Sequence, residues 1–351
     1  QSSATRYVNV IHPNARLLTF MTNNDSVSVV DCPESISGDL IIPSSWDGKP
    51  VTSIGINAFR GCDNLADVTI PDSVTSIGDY AFYRCYNMKS VIIGNSVTSI
   101  GSDAFQECYD LKNVTIGDSV TSIGGHAFWN CRSLTNVNIP DSVTSIGPEA
   151  FRKCYNLTSV TIGDSVRSIG DKAFYGCYNL TSVTIPDSVT SIRYYAFGHC
   201  IELKSVIIGN SVRSIGTGAF SKCESLTSVT IPDSVTSIEG SVFATCRSLT
   251  SVTIPDSVTS IGAYAFFRCE SLTSVTIPDS VTTIWHKAFA ECSELKSVTF
   301  EGNAPTLGDE RTGKAITELA SLTRGLFVHS PRNTKVYVKA NATGFDSTFG
   351  G

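Results

Sequence analysis

Eleven of the twelve cysteines in this 351-residue chain stand at Cys62, Cys85, Cys108, Cys131, Cys154, Cys177, Cys200, Cys223, Cys246, Cys269 and Cys292, a constant step of 23 residues. Cys32 alone is off that grid. Repeats with periods of about 20 to 50 residues mark stacked arrays, so Val51 to Asn303 reads as one unit copied eleven times. A unit this short cannot enclose its own core, and only stacking makes its apolar positions continuous. A length that would suggest two or three ordinary domains is therefore read as one elongated body.

Each unit approximates V-T-S-I-G-x-x-A-F-x-x-C-x-x-L-T-S-V-T-I-P-D-S. Leu180, Val183 and Ile185 alternate with Ser182 and Thr184, the pattern of a strand with one buried face. Pro186, or Gly163 one rung earlier, ends that strand, and the following Asp-Ser makes a turn. Val189 to Ile192 is a second short extended piece. Ala196, Phe197 and Cys200, spaced i, i+1, i+4, predict about one helical or 3-10 turn packed on the core. Phe recurs in every rung from Phe59 to Phe289, preceded by Ala except at Val242. Residues 1–50 are expected to form an N-terminal cap around a degenerate rung (Leu40 to Pro43), 51–303 the array, and 304–351 a C-terminal cap with helical spacing at Lys314 to Leu322 and a strand from Lys335.

The string FxxCxxLTSVTIPDSVTSIGxxAF, the entry WDGKPVTSIG at Trp46 to Gly55 and the closing KVYVKANATGFDSTFGG at Lys335 to Gly351 resemble the BspA-like, treponemal-type leucine-rich repeat family. The resemblance covers about 300 residues. It implies a leucine-rich repeat solenoid: a curved right-handed stack on a microbial surface, secreted or cell-surface, used for adhesion and protein binding, with no catalytic residues and no cofactor.

Several constellations invite chemical readings. The cysteine ladder offers one thiol per rung among apolar neighbours, with no histidine column to complete a zinc site. In-register side chains project in parallel, which does not supply disulfide geometry. Buried, reduced thiols with raised pKa are expected. Asp72, Asp118, Asp141, Asp164, Asp187, Asp233, Asp256 and Asp279 share one position with Asn95 and Asn210; the Asn favours an Asx turn over calcium. Ser159, Thr161, Ser182, Thr184 and their copies form hydroxyl columns on the strand face, which reads as a solvated β-face or, alternatively, a shallow binding groove. Hydroxyls without a base and an orienting acid are not nucleophiles, and the five histidines share no repeat position.

Specific recognition needs a feature that is not repeated. The turn positions, expected to be exposed, carry Tyr80, Tyr83, Tyr86, Tyr109, Trp129, Tyr155, Tyr175, Tyr178, Tyr194 and Tyr195, all within rungs two to seven. Aromatic residues are enriched at protein interfaces and also stack on sugars, so these ten are the candidate ligand-binding residues, for a protein or, alternatively, a glycan. A spacer without a ligand is the rival reading. A net charge of −6 argues against a nucleic-acid partner, and no apolar run is long enough to span a bilayer.

Overall fold

The computed structural model describes residues 12–308, 326–331, 334–339 and 343–344. The expected helical spacing at Lys314 to Leu322 lies outside them. Each rung contributes two parallel strands. The main strand, such as Ser182–Ile185, shows strict exposed-buried alternation. It pairs with the next rung 23 residues on, Ser182 opposite Ser205 and Val183 opposite Val206. A two-residue strand, such as Ser191–Ile192, pairs in the same way with Ser214 and Ile215. Identical rungs thus produce two ladders and one continuous core, about twelve turns including the degenerate first one.

The ladders begin before the regular array. Ser37–Ile41 opens the main ladder against Asn64–Thr69. Val27–Asp31 opens the short ladder against Lys49–Ile54, and pairs antiparallel with Thr19–Thr22 on its other edge. At the far end Lys335–Val338 pairs with Ser297–Phe300.

Between the ladders runs a core of stacked columns. All eleven Phe rings are fully buried and nearly parallel, tilted by 2° between Phe59 and Phe82. Their centroid separation grows from 4.7 Å at that first pair to 5.8 Å between Phe220 and Phe243. Near this widest gap the ladders also break. The short one stops pairing after Ser214–Ile215, where the next rung carries Glu239 in place of the usual Gly, and the main one stops after Ser251–Thr253.

The Ala-Phe-x-x-Cys segment departs from the expected helical or 3-10 turn. One-turn bonds do form: the amides of Tyr83 and Cys85 donate to the carbonyls of Tyr80 (3.0 Å) and Phe82 (3.3 Å). They alternate with amides that donate to the next rung, Tyr80 to Ser102 (2.9 Å), Phe82 to Ala104 (2.7 Å) and Arg84 to Gln106 (2.9 Å). No helix results, because two residues per rung sit in the left-handed region, as at Tyr80 (φ 56°) and Arg84 (φ 62°). That conformation costs an L-residue roughly 1–2 kcal/mol. It is held because it turns alternate amides along the stack, where each finds a carbonyl.

Candidate functional site

The cysteines sit where the sequence puts them, and their contacts explain why. All twelve are buried and unbridged. From Cys85 to Cys292 each thiol donates to the carbonyl of the Phe 26 residues earlier, as from Cys85 to Phe59 (3.1 Å) and Cys154 to Phe128 (3.2 Å). A thiol fills an apolar hole and still supplies a weak donor to a carbonyl on the axis of the stack. Burial pushes the pKa of these thiols up, to about 12 at Cys200 and Cys246. The off-grid Cys32 lies with its Sγ 3.2 Å from that of Cys62, a contact that raises its pKa most, ahead of burial.

Three of the eight column aspartates act as acceptors, but not through the expected Asx turn. Asp72 Oδ1 accepts from the amide of Asn95 (2.6 Å), Asp141 from Asp164 (2.9 Å), and Asp187 from Asn210 (2.6 Å). The partner is the equivalent residue of the next rung. Asn95 accepts from the Asp118 amide in the same way but at a longer 3.4 Å, since an amide oxygen also accepts. Among the described residues no three His, Cys, Asp or Glu side chains group together as a metal site.

The ten aromatic candidates lie on one turn face, in columns set by the 23-residue step. In the position after the Cys, Tyr86 stacks on Tyr109 (4.9 Å) and Tyr155 on Tyr178 (4.9 Å). Arg132, in the rung between these pairs, lies over Tyr109 (4.4 Å). In the position after the Phe, Tyr83 lies beside Arg60 and Arg84. Trp129 has Arg152 and Lys153 over its ring (6.0 and 5.9 Å), and Arg152 also lies 5.4 Å from the Tyr175 ring. Tyr175, Tyr194 and Tyr195 meet edge to face, with His199 4.8 Å from Tyr175.

Exposure divides this set. Tyr80, Tyr178 and Tyr194 are exposed, at 39%, 40% and 46%. Tyr83, Tyr86, Tyr109, Trp129, Tyr155, Tyr175 and Tyr195 are half-buried. The reading of all ten as exposed is thus corrected: seven spend much of their ring area covering adjacent rungs. Burial raises the pKa of Tyr109, Tyr175 and Tyr195. Tyr80 is raised chiefly by the neighbouring Asp103 carboxylate. His199 is lowered by burial and then by Lys222.

A second surface lies on the strand face, which the sequence leaves open as a shallow groove. A hollow of about 940 Å³ crosses the strand face of rungs five to eight, lined by Thr161, Thr184, Ile207 and Asn210 among others. Ile207 is 64% exposed and occupies the outward position that is Thr in most rungs; Ile92 repeats this at 49%. The signal was present in the sequence as S-V-I-I in place of S-V-T-I.

Comparison with known proteins agrees with this architecture. A family model described as the BspA type leucine rich repeat region, in six copies, matches residues 40–158, 144–270 and 213–311. A leucine-rich repeat protein from Bacteroides ovatus is 28% identical over 92% of this chain and 98% of its own, with a TM-score of 0.60. A leucine rich cell surface protein from Faecalibacterium prausnitzii is 32% identical over 82% of this chain and 94% of its own, with a TM-score of 0.45. The pneumococcal vaccine antigen PcpA, 18% identical over 95% of this chain and 93% of its own, shares the fold at a TM-score of 0.50. No curated protein matches. Among the described residues no helix is long and apolar enough to cross a membrane. The solenoid is a repeat scaffold of the kind used to bind proteins, and the chain belongs to the BspA-type leucine-rich repeat family.

Proposed function

We propose that this protein is a non-catalytic scaffold, secreted or displayed at the cell surface, that holds a protein ligand in adhesion against the aromatic turn face of rungs two to seven. In the same reading residues 1–50 and 304–351 cap the ends of the array. The observation that carries it is that Tyr80, Tyr178 and Tyr194 rise exposed from a half-buried aromatic layer, on rungs that are otherwise near copies. Interface hot spots are enriched in Tyr, and an aromatic layer beneath holds such anchors in place at little entropic cost. A spacer would not need an uneven distribution, with aromatic turn positions in rungs two to seven and none at Gly218, Ser221, Ser241 and Ala244 of rungs eight and nine. The cell-surface setting follows the family resemblance.

The test is binding of the purified chain to a panel of immobilised extracellular-matrix proteins. At least one should bind, and the triple variant Tyr80→Ala, Tyr178→Ala, Tyr194→Ala should bind at least tenfold more weakly at unchanged melting temperature. The hollow around Ile207 supports a second reading, in which the ligand lies across the strand face. Loss of binding in Ile207→Thr with full binding in the tyrosine variant would establish that reading instead. No binding to any member of the panel would favour a spacer.

A further inference from the structure

A cavity of about 260 Å³ opens on the turn face of rungs five to eight, lined in part by Arg152, Lys172, Tyr175, Tyr194, His199 and Lys222. Its charge is unlike that of the chain as a whole, which carries −6. Three cations line it, and one carboxylate, Glu149, is close to two of them: Oε2 accepts from Arg152 Nη1 at 2.6 Å and Oε1 lies 3.8 Å from Lys172 Nζ. Asp171, the next nearest acid in sequence, has Oδ1 engaged with the Tyr194 amide at 3.2 Å. Lys222 has no carboxylate within ion-pair distance among the described residues. One positive charge therefore stands with no direct partner at the rim of a small polar cavity.

The rest of the lining narrows the ligand. Tyr194 is 46% exposed and braced edge to face on Tyr195 at 4.5 Å, with Lys172 5.7 Å from its ring. The part of this braced ring that Tyr195 and Lys172 leave exposed presents a platform for the C–H face of a sugar ring. His199, whose pKa is lowered by burial and by Lys222 against an opposing pull from Glu224, offers in its neutral form both a donor and an acceptor, and the Tyr hydroxyls and Ser221 add more. A peptide anchor calls for an apolar pocket, whereas these groups suit a ring covered in hydroxyls.

We infer that this cavity binds a sugar bearing a carboxylate, with the ring against Tyr194 and the carboxylate against Lys222 and Arg152. This goes beyond the protein-ligand reading of the aromatic face by assigning one part of that face a second ligand class.

Saturation-transfer NMR titration of the full chain with methyl β-D-glucuronide tests it, with methyl β-D-glucoside and a hexaglutamate peptide as controls. The glucuronide should bind at least tenfold more tightly than the glucoside and weaken as salt is raised. Tyr194→Ala and Lys222→Gln should each weaken it at least tenfold at unchanged melting temperature. Equal binding of the two glycosides, no binding of either, or no effect of the two variants would overturn the inference. So would binding of hexaglutamate alone, which would make the occupant an acidic peptide. Because Tyr80 and Tyr178 do not line the cavity, matrix-protein binding lost in Tyr80→Ala, Tyr178→Ala while the glucuronide fails would sink this inference and leave the aromatic-face reading standing.

Discussion

At the scale of single residues, the repeat makes burial a property of the column, so substitutions can be ranked from position alone. Phe174 is fully buried between Phe151 at 5.3 Å and Phe197 at 5.2 Å. Removing its ring forfeits burial and leaves a hole that rigid neighbours on both sides cannot close. Phe174→Ala should cost roughly 3–5 kcal/mol, whereas Thr184→Ala, exposed on the strand face, should stay within about 0.5 kcal/mol. Urea unfolding of both variants measures this; similar losses at the two sites would mean the faces are misassigned. The column assignment was legible in the sequence because alternation along Ser182–Ile185 has only one in-register solution. The half-burial of Tyr83 or Tyr155 was not, because a ring's exposure is set by its neighbour 23 residues away.

At the scale of elements, the rung's three pieces were unequally readable. Both strands followed from alternation and a Pro or Gly stop. The Ala-Phe-x-x-Cys turn did not, since its left-handed positions hold Tyr, Asp, His, Glu and Lys as well as Gly and carry no residue signature. Nor could the thiol ladder be seen as hydrogen-bonded, because each acceptor is 26 residues back. That ladder has a consequence for pH. Burial raises the pKa of the thiols from Cys85 to Cys292 above the unfolded value near 9, reaching about 12 at Cys292. A group whose folded pKa is raised contributes stability below its unfolded pKa and loses it as pH climbs toward the folded one. Each thiol therefore withdraws about 1.4 kcal/mol per pH unit above about 9, and the losses add. The β-sheet circular dichroism signal should collapse cooperatively soon after pH 9. Replacing Cys154, Cys177 and Cys200 with Ala should soften the pH dependence; an intact wild-type fold at pH 12 would refute the account.

For the whole molecule, stability should behave as a sum of rung and rung-rung terms rather than as one indivisible core. Deleting residues 120–142, one full rung, rejoins every ladder in register and should leave a folded protein. Deleting residues 120–131 leaves half a rung and turns the Phe column out of line, so it should prevent folding. Thermal melts and small-angle scattering distinguish the outcomes: a cooperative, slightly shorter rod for the first and an expanded chain for the second. Two equally folded products would mean the columns do not govern the stack.

The uniform step of the hydrogen bonds bears on how fast such a chain can assemble. Nearly every inter-rung bond joins residues 22 to 26 apart in a chain of 351, so the mean separation is a fraction of about 0.07 of the length. All-β proteins usually fold slowly because their pairings close long loops, whereas a fraction this small belongs to helical bundles. Here each new turn of chain closes the same short loop onto a finished template. An all-β molecule built in this way can grow rung upon rung at the pace of local structure, and it can do so from one end while the rest of the chain is still being made.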